Sequence, residues 1–437
     1  MDTAIYPLEF LYDGNCPMDM NILLCGADGF FGQAIHQALA ATGHRVIRGV
    51  HHPRLPGDIA IDYQRDLTPE AWLPRLEGVD VVVNAVGILR ERQADDFERI
   101  HHRAPAALFR AASMAGVKKA VQISALGAPG TMPYLASKYA ADAALLEVMP
   151  DNATILRPAL TFGQEGASTR FFLAMASLPI LCIPRGAGEL RPVHVEDVTK
   201  AVAACLAMPA APSRVLRLCG PRALGYADWM ETYRGLMKLP PAPHLPIPAF
   251  VMAWAARFAG MFRASLLSND TWTMMKHGNR ADVDDEAAAL LAAPLRDPAA
   301  FALPEEAGRL RLAALAVWRR PMLIGVLAAI WLLTAFVSAA MFPIEESLKL
   351  LHPFGLAETA AMAALALATA LDVLMGVLTL IRPGRKLWLF QLALIAAYTL
   401  AICWRLPEFL LHPFGPVLKN LAVAALIVQL HAEETAS

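Results

Sequence analysis

The feature that most constrains this chain is an uncharged apolar run of 22 residues from Pro321 to Phe342. At about 1.5 Å of rise per residue, a helix of that length crosses the roughly 30 Å hydrocarbon core of a bilayer. Three more apolar segments follow, at residues 357–381, 387–404 and 415–430, and Lys419 makes the last one weaker. We therefore predict that residues 306–437 form an all-α transmembrane domain of four helices.

An internal repeat and the basic residues predict the orientation of this domain. The sequence LLHPFG occurs at Leu350–Gly355 and Leu410–Gly415, so the domain looks like two copies of a helix pair. Basic residues flank the other side of the bilayer: Arg309, Arg311, Arg319, Arg320, Arg382, Arg385 and Lys386. The positive-inside rule then places both termini in the cytoplasm of a multi-pass protein of the inner (cytoplasmic) membrane.

Three polar residues of this region are candidates for function. His352 and His412 occupy equivalent loops and invite a metal or haem hypothesis, but we favour interfacial anchors of the loops. Asp372 lies inside the second span, where an ionisable group is costly unless it is paired or hydrated. It is either a functional group or a hydrogen-bond partner of a neighbouring helix.

The composition of the 437 residues excludes some classes of protein. A formal net charge of -1 excludes a broadly basic nucleic-acid binder. The six cysteines have no paired spacing, so we predict neither a metal site nor a disulfide framework. The N-terminus lacks the pattern of a secretory signal, so we expect the head to stay in the cytoplasm. We expect residues 1–19 to be a disordered extension or the result of a start codon assigned too early.

A strand, a glycine turn, a helix and a second strand open the remaining part, residues 20–305. The run NILLCGADGFFGQAIHQALAATGHRVIRGV predicts one βαβ unit. The three turn glycines suit a tight turn, close approach to a pyrophosphate and close packing of helix on strand, and the helix N-terminus attracts phosphate. Candidate cofactor contacts here are Gly26, Asp28, Gly29, Phe30, Phe31 and Gly32.

The segment after the second strand predicts which dinucleotide binds. An acidic side chain there would bond the ribose 2′-hydroxyl and repel a 2′-phosphate. The sequence has Arg48, His51, His52 and Arg54 instead, with no carboxylate between them. We predict NADP(H) as the preferred cofactor, with Arg48 as a contact and NAD(H) as the alternative. These basic groups can also belong simply to a solvated loop.

Asp66 and Leu67 precede a helix at the place where an adenine ring lies in a doubly wound sheet. An N-terminal helix cap by Asp66 or Thr68 explains this pair equally well. Further strands are predicted within Gly78–Gly87 and Lys118–Ala128, with an amphipathic helix around residues 97–115 between them.

The motif YLASK carries the strongest chemical signal. Tyr134 and Lys138 are four residues apart and therefore share one helix face, and Ser124 ends the preceding strand. A neighbouring ammonium favours phenolate, so Lys138 is expected to lower the pKa of Tyr134 towards neutrality. Lys138 could also bond the nicotinamide ribose, and Ser124 could polarise a carbonyl.

From Met20 to about Leu303, the chain resembles the extended and atypical short-chain dehydrogenase/reductases. The branch it is most similar to includes the nucleotide-binding accessory subunit of respiratory complex I and related quinone-pathway proteins. The segments that carry the resemblance are NILLCGADGFFGQAI, VVVNAVGIL, AGVKKAVQISALGA, YLASKYAADAAL, TILRPALTFG and RPVHVEDVTKAV.

This resemblance implies a fold and a set of site residues. The fold is α/β, a Rossmann-type doubly wound parallel sheet with a small C-terminal lobe, to which LRLCGPRALGYADWMETYRGLM would contribute a strand and a helix. Cofactor-lining residues would be Asn84, Ala85, Val86 and Gly87, and the catalytic set would be Tyr134, Lys138 and Ser124. The four-helix region resembles the DoxX-like membrane family.

Two departures from the family pattern concern catalysis. The asparagine often found in the helix after the fourth strand has no counterpart at His101 or His102, and Ser124 stands unusually close to Tyr134. The resemblance therefore implies nucleotide binding more firmly than turnover.

The segment AFVMAWAARFAGMF is too short to span a membrane and carries Arg257. With Trp254, Phe258, Met261 and Phe262 it is either an interfacial helix beside a lipid-facing cleft or an ordinary helix packed on the lobe.

Three functions follow from these observations. The first is a membrane-anchored NAD(P)H-dependent oxidoreductase that acts on a lipophilic carbonyl or quinone-like substrate. The second is a non-catalytic NAD(P)-binding scaffold or assembly factor of a membrane protein complex. The third, a four-helix transporter with a nucleotide-sensing head, depends only on Asp372 and the repeat.

Overall fold

The chain divides into two units, Met1–Ala314 and Leu315–Ser437. The computed structural model describes residues 20–127, 130, 132–260, 267–279, 281, 285–291, 293–411 and 417–434. The predicted extension 1–19, the predicted interfacial residues Met261 and Phe262, and the loop residue His412 lie outside these ranges.

A parallel sheet forms the centre of the first unit. The strands of this unit are β1 (Asn21–Cys25), β2 (Arg45–Val50), β3 (Ile59–Ala60), β4 (Val81–Asn84), β5 (Lys119–Ile123), β6 (Ala153–Pro158), β7 (Thr161–Phe162), β8 (Leu181–Pro184), β9 (Val193–His194), β10 (Arg214–Leu218) and β11 (His244–Ile247). Seven of them pair in the order β10-β6-β5-β4-β1-β2-β3. Every pairing in this sheet is parallel.

Helices cover both faces of this sheet. The helices of the first unit are α1 (Phe30–Ala40), α2 (Pro69–Trp72), α3 (Ala104–Met114), α4 (Pro133–Val148), α5 (Ala167–Ala176), α6 (Val195–Ala207), α7 (Tyr226–Leu236), α8 (Ala249–Ala259), α9 (Asn269–His277) and α10 (Asp285–Leu291). A π-helical segment, Glu98–Arg103, leads into α3.

The two faces of β1 explain why the sheet is buried on both sides. Ile22 and Leu24 pack in one apolar cluster with residues of α1 and α6. Leu23 and Cys25 pack in a second cluster with residues of α2 and α3. Alternate residues of a strand point to opposite faces, and a strand covered on both faces is an unbroken apolar run. The predicted doubly wound α/β fold is confirmed.

The position of β1 in the sheet locates a binding crevice. From β1 the chain builds outward through β2 and β3 on one side, and through β4, β5, β6 and β10 on the other. In open parallel sheets, ligands bind beyond the carboxyl ends of the strands at such a reversal of direction. The glycine turn follows β1 at this point.

A smaller lobe follows the main sheet in the sequence. It contains the paired strands β8 and β11 and an aromatic cluster in which α5 and α7 meet. The segment assigned to this lobe from the sequence is divided between two places. Helix α7 belongs to the lobe, but β10 pairs with β6 and becomes the edge strand of the main sheet.

The second unit is helical. Helix α11 (Ala307–Phe336) begins in the first unit, and the others are α12 (Ile344–Leu351), α13 (Glu358–Ile381), α14 (Arg385–Arg405), α15 (Glu408–Leu411) and α16 (Lys419–Glu433). Among the described residues, three helical segments are long and apolar enough to cross a bilayer: Pro304–Met341, Glu358–Ile381 and Arg385–Arg405. Helix α16 has 15 residues, so the fourth span at 415–430 stays a prediction.

Two ion pairs join the middle of α11 to the C-terminal end of α16. Arg319 lies 2.9 Å from Glu433, and Arg320 pairs with Glu434. Arg319, in the middle of α11, therefore lies beside Glu433, the last residue of α16. The number of crossings and the orientation of the termini stay predictions.

Buried polar side chains connect the membrane helices. The indole N–H of Trp331 donates to Gln391 at 2.9 Å, and the amide of Gln391 donates to Thr379 at 2.8 Å, which links α11, α14 and α13. Asp372 is also buried, and its Oδ1 atom has no hydrogen-bond partner among the described residues. Both hypotheses for Asp372 stay predictions.

Candidate functional site

The glycine turn after β1 has no room for side chains at two of its three glycines. Gly26 has a φ of +80°, and a Cβ there would lie 2.9 Å from Val86 Cγ2. A Cβ on Gly32 would lie 1.9 Å from the carbonyl oxygen of Gly26. The N–H of Gly29 donates to that same carbonyl at 2.9 Å. The start of α1 therefore lies directly against the turn, as a dinucleotide site requires.

A cavity of about 1260 Å³ opens at this turn. Asp28, Phe30 and Phe31 line it together with Gly26 and Gly29, whereas Gly32 is buried beneath the turn. Helix α1 begins without a side-chain cap, so its first N–H groups suit an anion. The residues present therefore fit a dinucleotide phosphate.

The side chain of Arg48 is held away from the cavity. Its guanidinium lies 3.1 Å from Asp58, whose carboxylate also accepts hydrogen bonds from the N–H groups of Arg54 and Leu55. Those backbone hydrogen bonds are the main reason that the pKa of Asp58 is lowered. Of the predicted basic residues after β2, His51 lines the cavity. Arg48 is not among the described residues that line the cavity, and its cofactor contact stays a prediction.

Asp66 stabilises its own loop. Its carboxylate accepts from the N–H of Asp62 at 2.6 Å and from Arg75 at 2.7 Å, and its carbonyl accepts from the indole of Trp72. Leu67 packs against the core beside the sheet. Neither Asp66 nor Leu67 is among the described residues that line the cavity, where Asp62 and Tyr63 lie instead.

Asn84 fixes the loop that follows β4. Its Oδ1 accepts from the phenol of Tyr63 at 2.8 Å and from the N–H of Val86 at 3.2 Å, while its amide donates to Gln122. Asn84 is fully buried, so it orients the next residues rather than lining the cavity. The cavity wall at this point is made by Ala85, Val86 and Gly87.

Lys138 is a buried cation on the cavity wall. Only 5% of its surface is exposed, and its ammonium donates to the carbonyls of Ile123 at 3.1 Å and Val86 at 3.2 Å. Burial lowers the pKa of Lys138 to about 8, an effect that the nearby Asp142 carboxylate reduces. Lys138 thereby links helix α4 to the loop after β4 and to the end of β5.

The phenol of Tyr134 also lines the cavity, one helical turn before Lys138. Its ring makes edge contacts with His101 and Phe97, at centroid distances of 5.3 Å and 5.8 Å. Burial raises the pKa of Tyr134 to about 12, and Tyr139 adds to this effect. The expectation that Lys138 lowers this pKa is therefore wrong, because loss of water dominates and the ammonium is turned towards two carbonyls.

Ser124 faces a different partner from the one the motif suggested. Its hydroxyl donates to Asp142 at 2.8 Å, and the same carboxylate oxygen accepts from Nε and Nη2 of Arg157 at 3.0 Å and 2.8 Å. Ser124 lies on the cavity wall, but its hydroxyl proton is donated to Asp142 and not to the cavity. In this arrangement its oxygen can accept a hydrogen bond from the cavity.

The far half of the cavity is mainly apolar. Its wall comes from α4, α5, the lobe and α9, and the apolar side chains among these are Leu126, Met132, Leu135, Leu160, Phe171, Phe172, Leu190, Tyr226, Leu267, Met274 and Met275. A pocket with such a lining and a few polar groups accepts a mainly apolar ligand.

The two units of the fold match two different protein families. Residues 22–218 match the NAD dependent epimerase/dehydratase family, and residues 328–428 match the DoxX-like family. The chain joins an epimerase-like domain to a DoxX-like domain. Both resemblances predicted from the sequence are confirmed, and the family supports a nicotinamide cofactor.

Relatives of the epimerase-like domain have two kinds of name. A mitochondrial "NADH dehydrogenase [ubiquinone] 1 alpha subcomplex subunit 9" of Rattus norvegicus is 28% identical over 280 residues, which cover 60% of this chain and 71% of that protein. A "Ceramide reductase" of Caulobacter vibrioides is 29% identical over 276 residues, which cover 58% of this chain and 85% of that protein.

Solved structures resemble the epimerase-like domain in fold. UDP-N-acetylglucosamine 4-epimerase from Bacillus cereus has a TM-score of 0.51 at 16% identity, with 68% of this chain and 99% of that chain covered. MoeE5 in complex with UDP-glucose and NAD has a TM-score of 0.50 at 20% identity, with the same coverage. At these identities the likeness concerns the fold alone.

His101 is a site residue of the epimerase-like domain that the sequence reasoning passed over. Its Nε2 accepts the N–H of Ile88 at 3.0 Å, so its Nδ1 carries the proton and donates to Ser137 at 3.1 Å. The hydroxyl of Ser137 in turn donates to the carbonyl of Tyr134 at 3.0 Å. Burial, with the charge of Lys138, lowers the pKa of His101 to about 2, so the ring stays neutral.

This chain of hydrogen bonds connects the loop after β4 to the first turn of α4. His101 lies in the π-helical segment before α3. Related dehydrogenases often have an asparagine in this region, and this chain has none at His101 or His102. The spacing of His101 alone carried no signal, because a histidine pair in a charged segment is also typical of a solvated surface. Only the packing shows that one member of the pair, His101, is buried at 1% exposure.

Proposed function

We propose that this protein is a membrane-anchored, NADP(H)-dependent oxidoreductase that acts on a lipophilic carbonyl or quinone-like substrate. The observation that carries the proposal is a single continuous cavity. It starts at the glycine turn, passes Lys138 and Tyr134, and continues along an apolar wall. One cavity can thus hold a nucleotide at one end and an apolar substrate at the other, with the phenol between them.

In the proposed reduction, Tyr134, Lys138 and Ser124 each have a distinct role. A bound nicotinamide would supply the hydride. Tyr134 would donate its proton to the substrate oxygen, because a phenol with a raised pKa is fully protonated at neutral pH. Lys138 would hold the cofactor ribose and the phenol in register, and the oxygen of Ser124 would accept a hydrogen bond from the hydroxyl of the alcohol product.

The apolar far wall and one relative support the substrate class. Phe171, Phe172 and Met275 offer surface for an acyl chain or an isoprenoid-like tail. The relative named as a ceramide reductase acts, by that name, on a long-chain lipid. We infer that this chain reduces a carbonyl carried on a comparable membrane lipid.

The cofactor preference and the location belong to the same proposal. No carboxylate occurs from His51 to Arg54 to repel a 2′-phosphate, and His51 lines the cavity beyond β2. The basic residues around the first membrane span support a head in the cytoplasm, with the helices in the inner membrane.

Replacing Tyr134 with Phe tests the proposed mechanism. A positioned general acid contributes about 10²–10⁴-fold, so the variant should lose at least about 100-fold in kcat. The measurement is NADPH oxidation by the purified chain in lipid nanodiscs supplied with extracted membrane lipids. Tyr398→Phe, which removes the same oxygen from the membrane unit, is the matched control. Unchanged turnover in Tyr134→Phe would exclude the mechanism.

A second function is favoured by the state of Ser124. Since its proton is engaged by Asp142, the site resembles one that binds nucleotide without using the serine as a proton donor. A scaffold for a membrane complex, as the respiratory-subunit relative suggests, would hold nucleotide in a one-to-one ratio and never oxidise it. Co-purification with a membrane complex, together with full activity of that complex in Tyr134→Phe, would support this alternative.

A further inference from the structure

Helix α8 presents an apolar arc to solvent. Phe250, Val251 and Trp254 are 68%, 40% and 73% exposed. At about 100° per residue, these positions lie within roughly a third of the helix circumference. The opposite side is anchored, since Ala256 is fully buried. Exposed aromatic residues clustered on one face mark an interaction surface rather than ordinary surface composition.

This helix lies next to the proposed substrate half of the cavity. It packs against α9, and α9 contributes Thr271, Met274 and Met275 to the cavity wall. At its end, the carbonyl of Gly260 accepts a hydrogen bond from Arg90, which is itself a cavity-lining residue. The apolar arc and the apolar end of the cavity are therefore neighbouring parts of one structure.

We propose that α8 inserts its Phe250, Val251 and Trp254 face into the interface of the lipid bilayer, next to the substrate entrance. Interfacial helices place aromatic and aliphatic residues about 5–10 Å into the boundary between headgroups and acyl chains. The composition of α8 matches this behaviour, because its single charged residue is Arg257 and it has no carboxylate. A cation beside an aromatic face suits anionic headgroups.

The rest of the chain favours a bilayer over another protein as the occupant. Three helical segments among the described residues are apolar and long enough to cross a membrane, so the head is always tethered close to lipid. Tethering raises the effective concentration of a second contact, and a weak interfacial helix then suffices. The part of this inference that concerns substrate entry rests on the proposed function, whereas the insertion of α8 does not.

Fluorescence quenching by brominated lipids tests the insertion directly. The full chain is placed in nanodiscs of brominated or ordinary phospholipid, and the emission of Trp254→Phe is subtracted from that of the wild type. The difference isolates Trp254, while phenylalanine preserves the aromatic face. For an insertion depth of about 5–10 Å, bromine at shallow acyl positions should lower the difference signal by about twofold. An equal signal in both lipids would overturn the proposal and would fit a second copy or another protein surface covering α8.

A pair of charge variants tests substrate entry separately. Trp254→Glu places a carboxylate on the apolar arc, and Ala253→Glu places the same group at an exposed position outside it. We expect Trp254→Glu to raise the KM for a bilayer-dissolved substrate at least tenfold, with unchanged NADPH affinity and unchanged kcat. Ala253→Glu should change none of them. Equal KM values in both variants would overturn the entrance role, whereas a failure of the proposed function would appear as absent turnover in the wild type with quenching intact.

Discussion

Lys138 carries its charge in a place that water hardly reaches. Two backbone carbonyls, from Val86 and Ile123, accept its hydrogen bonds, yet burial still lowers its pKa to about 8. A buried lysine is expected to behave in this way, because loss of hydration disfavours the ammonium form. The residue is thus charged at neutral pH but loses its proton within the range of ordinary assays.

This pKa predicts the alkaline limit of activity. If charged Lys138 holds the cofactor and the phenol in register, kcat/KM should fall as pH rises through about 8. In Lys138→Arg the guanidinium stays protonated, so the alkaline fall should move to higher pH even if the maximal rate is lower. The measurement is the pH profile of NADPH oxidation for both proteins. An unchanged alkaline limb in Lys138→Arg would mean that another group titrates.

Some properties of Tyr134, Lys138 and Ser124 could be predicted from the sequence, and others could not. The spacing of Tyr134 and Lys138 was enough to select both residues, because positions four apart share a helix face. Two further facts depend on packing and could not be read from the spacing. The phenol of Tyr134 is too desolvated to have a lowered pKa, and Ser124 is engaged by Asp142, a residue one turn beyond Lys138.

At the scale of elements, the turn between β1 and α1 is the most constrained local structure. The Cβ that any other residue would bring to position 32 would lie 1.9 Å from the Gly26 carbonyl oxygen. That oxygen also accepts the N–H of Gly29, so it cannot move without opening the turn. The helix would have to shift away from the strand instead.

Gly32→Ala therefore tests the phosphate site. Forcing the helix from the strand should cost about 1–3 kcal/mol of stability and weaken NADPH binding at least tenfold. Gly235→Ala is the matched control, since nothing lies within 4 Å of a Cβ at that position in α7. Thermal unfolding and NADPH titration of both variants give the comparison. Wild-type affinity in Gly32→Ala would show that the turn does not hold the phosphates.

Short-range elements were easier to predict than long-range ones. The first βαβ unit follows from apolar runs and a glycine turn that are contiguous in sequence. The pairing of β10 with β6 joins residues far apart in the chain, and nothing local distinguishes an edge strand of the main sheet from a lobe strand. Asp66 was similarly ambiguous, because a loop-stabilising carboxylate and an adenine contact have the same local sequence.

At the scale of the whole molecule, the chain combines a nucleotide-binding unit with a membrane-spanning unit. The change in solvent was visible from the sequence, since a long uncharged run leaves few alternatives to a bilayer. The ion pair between Arg319 and Glu433 is a contact within the membrane unit that hydropathy could not predict. It places Arg319, near the beginning of the membrane unit, next to Glu433, near its end.

The proposed function depends on a nicotinamide dinucleotide binding at the glycine turn of a membrane-anchored chain. Isothermal titration calorimetry on the intact, detergent-solubilised protein tests this claim most directly. We expect one site per chain for NADPH, with weaker binding of NADH. If neither nucleotide gives binding heat while a thermal unfolding curve shows that the protein is folded, the proposed function is contradicted.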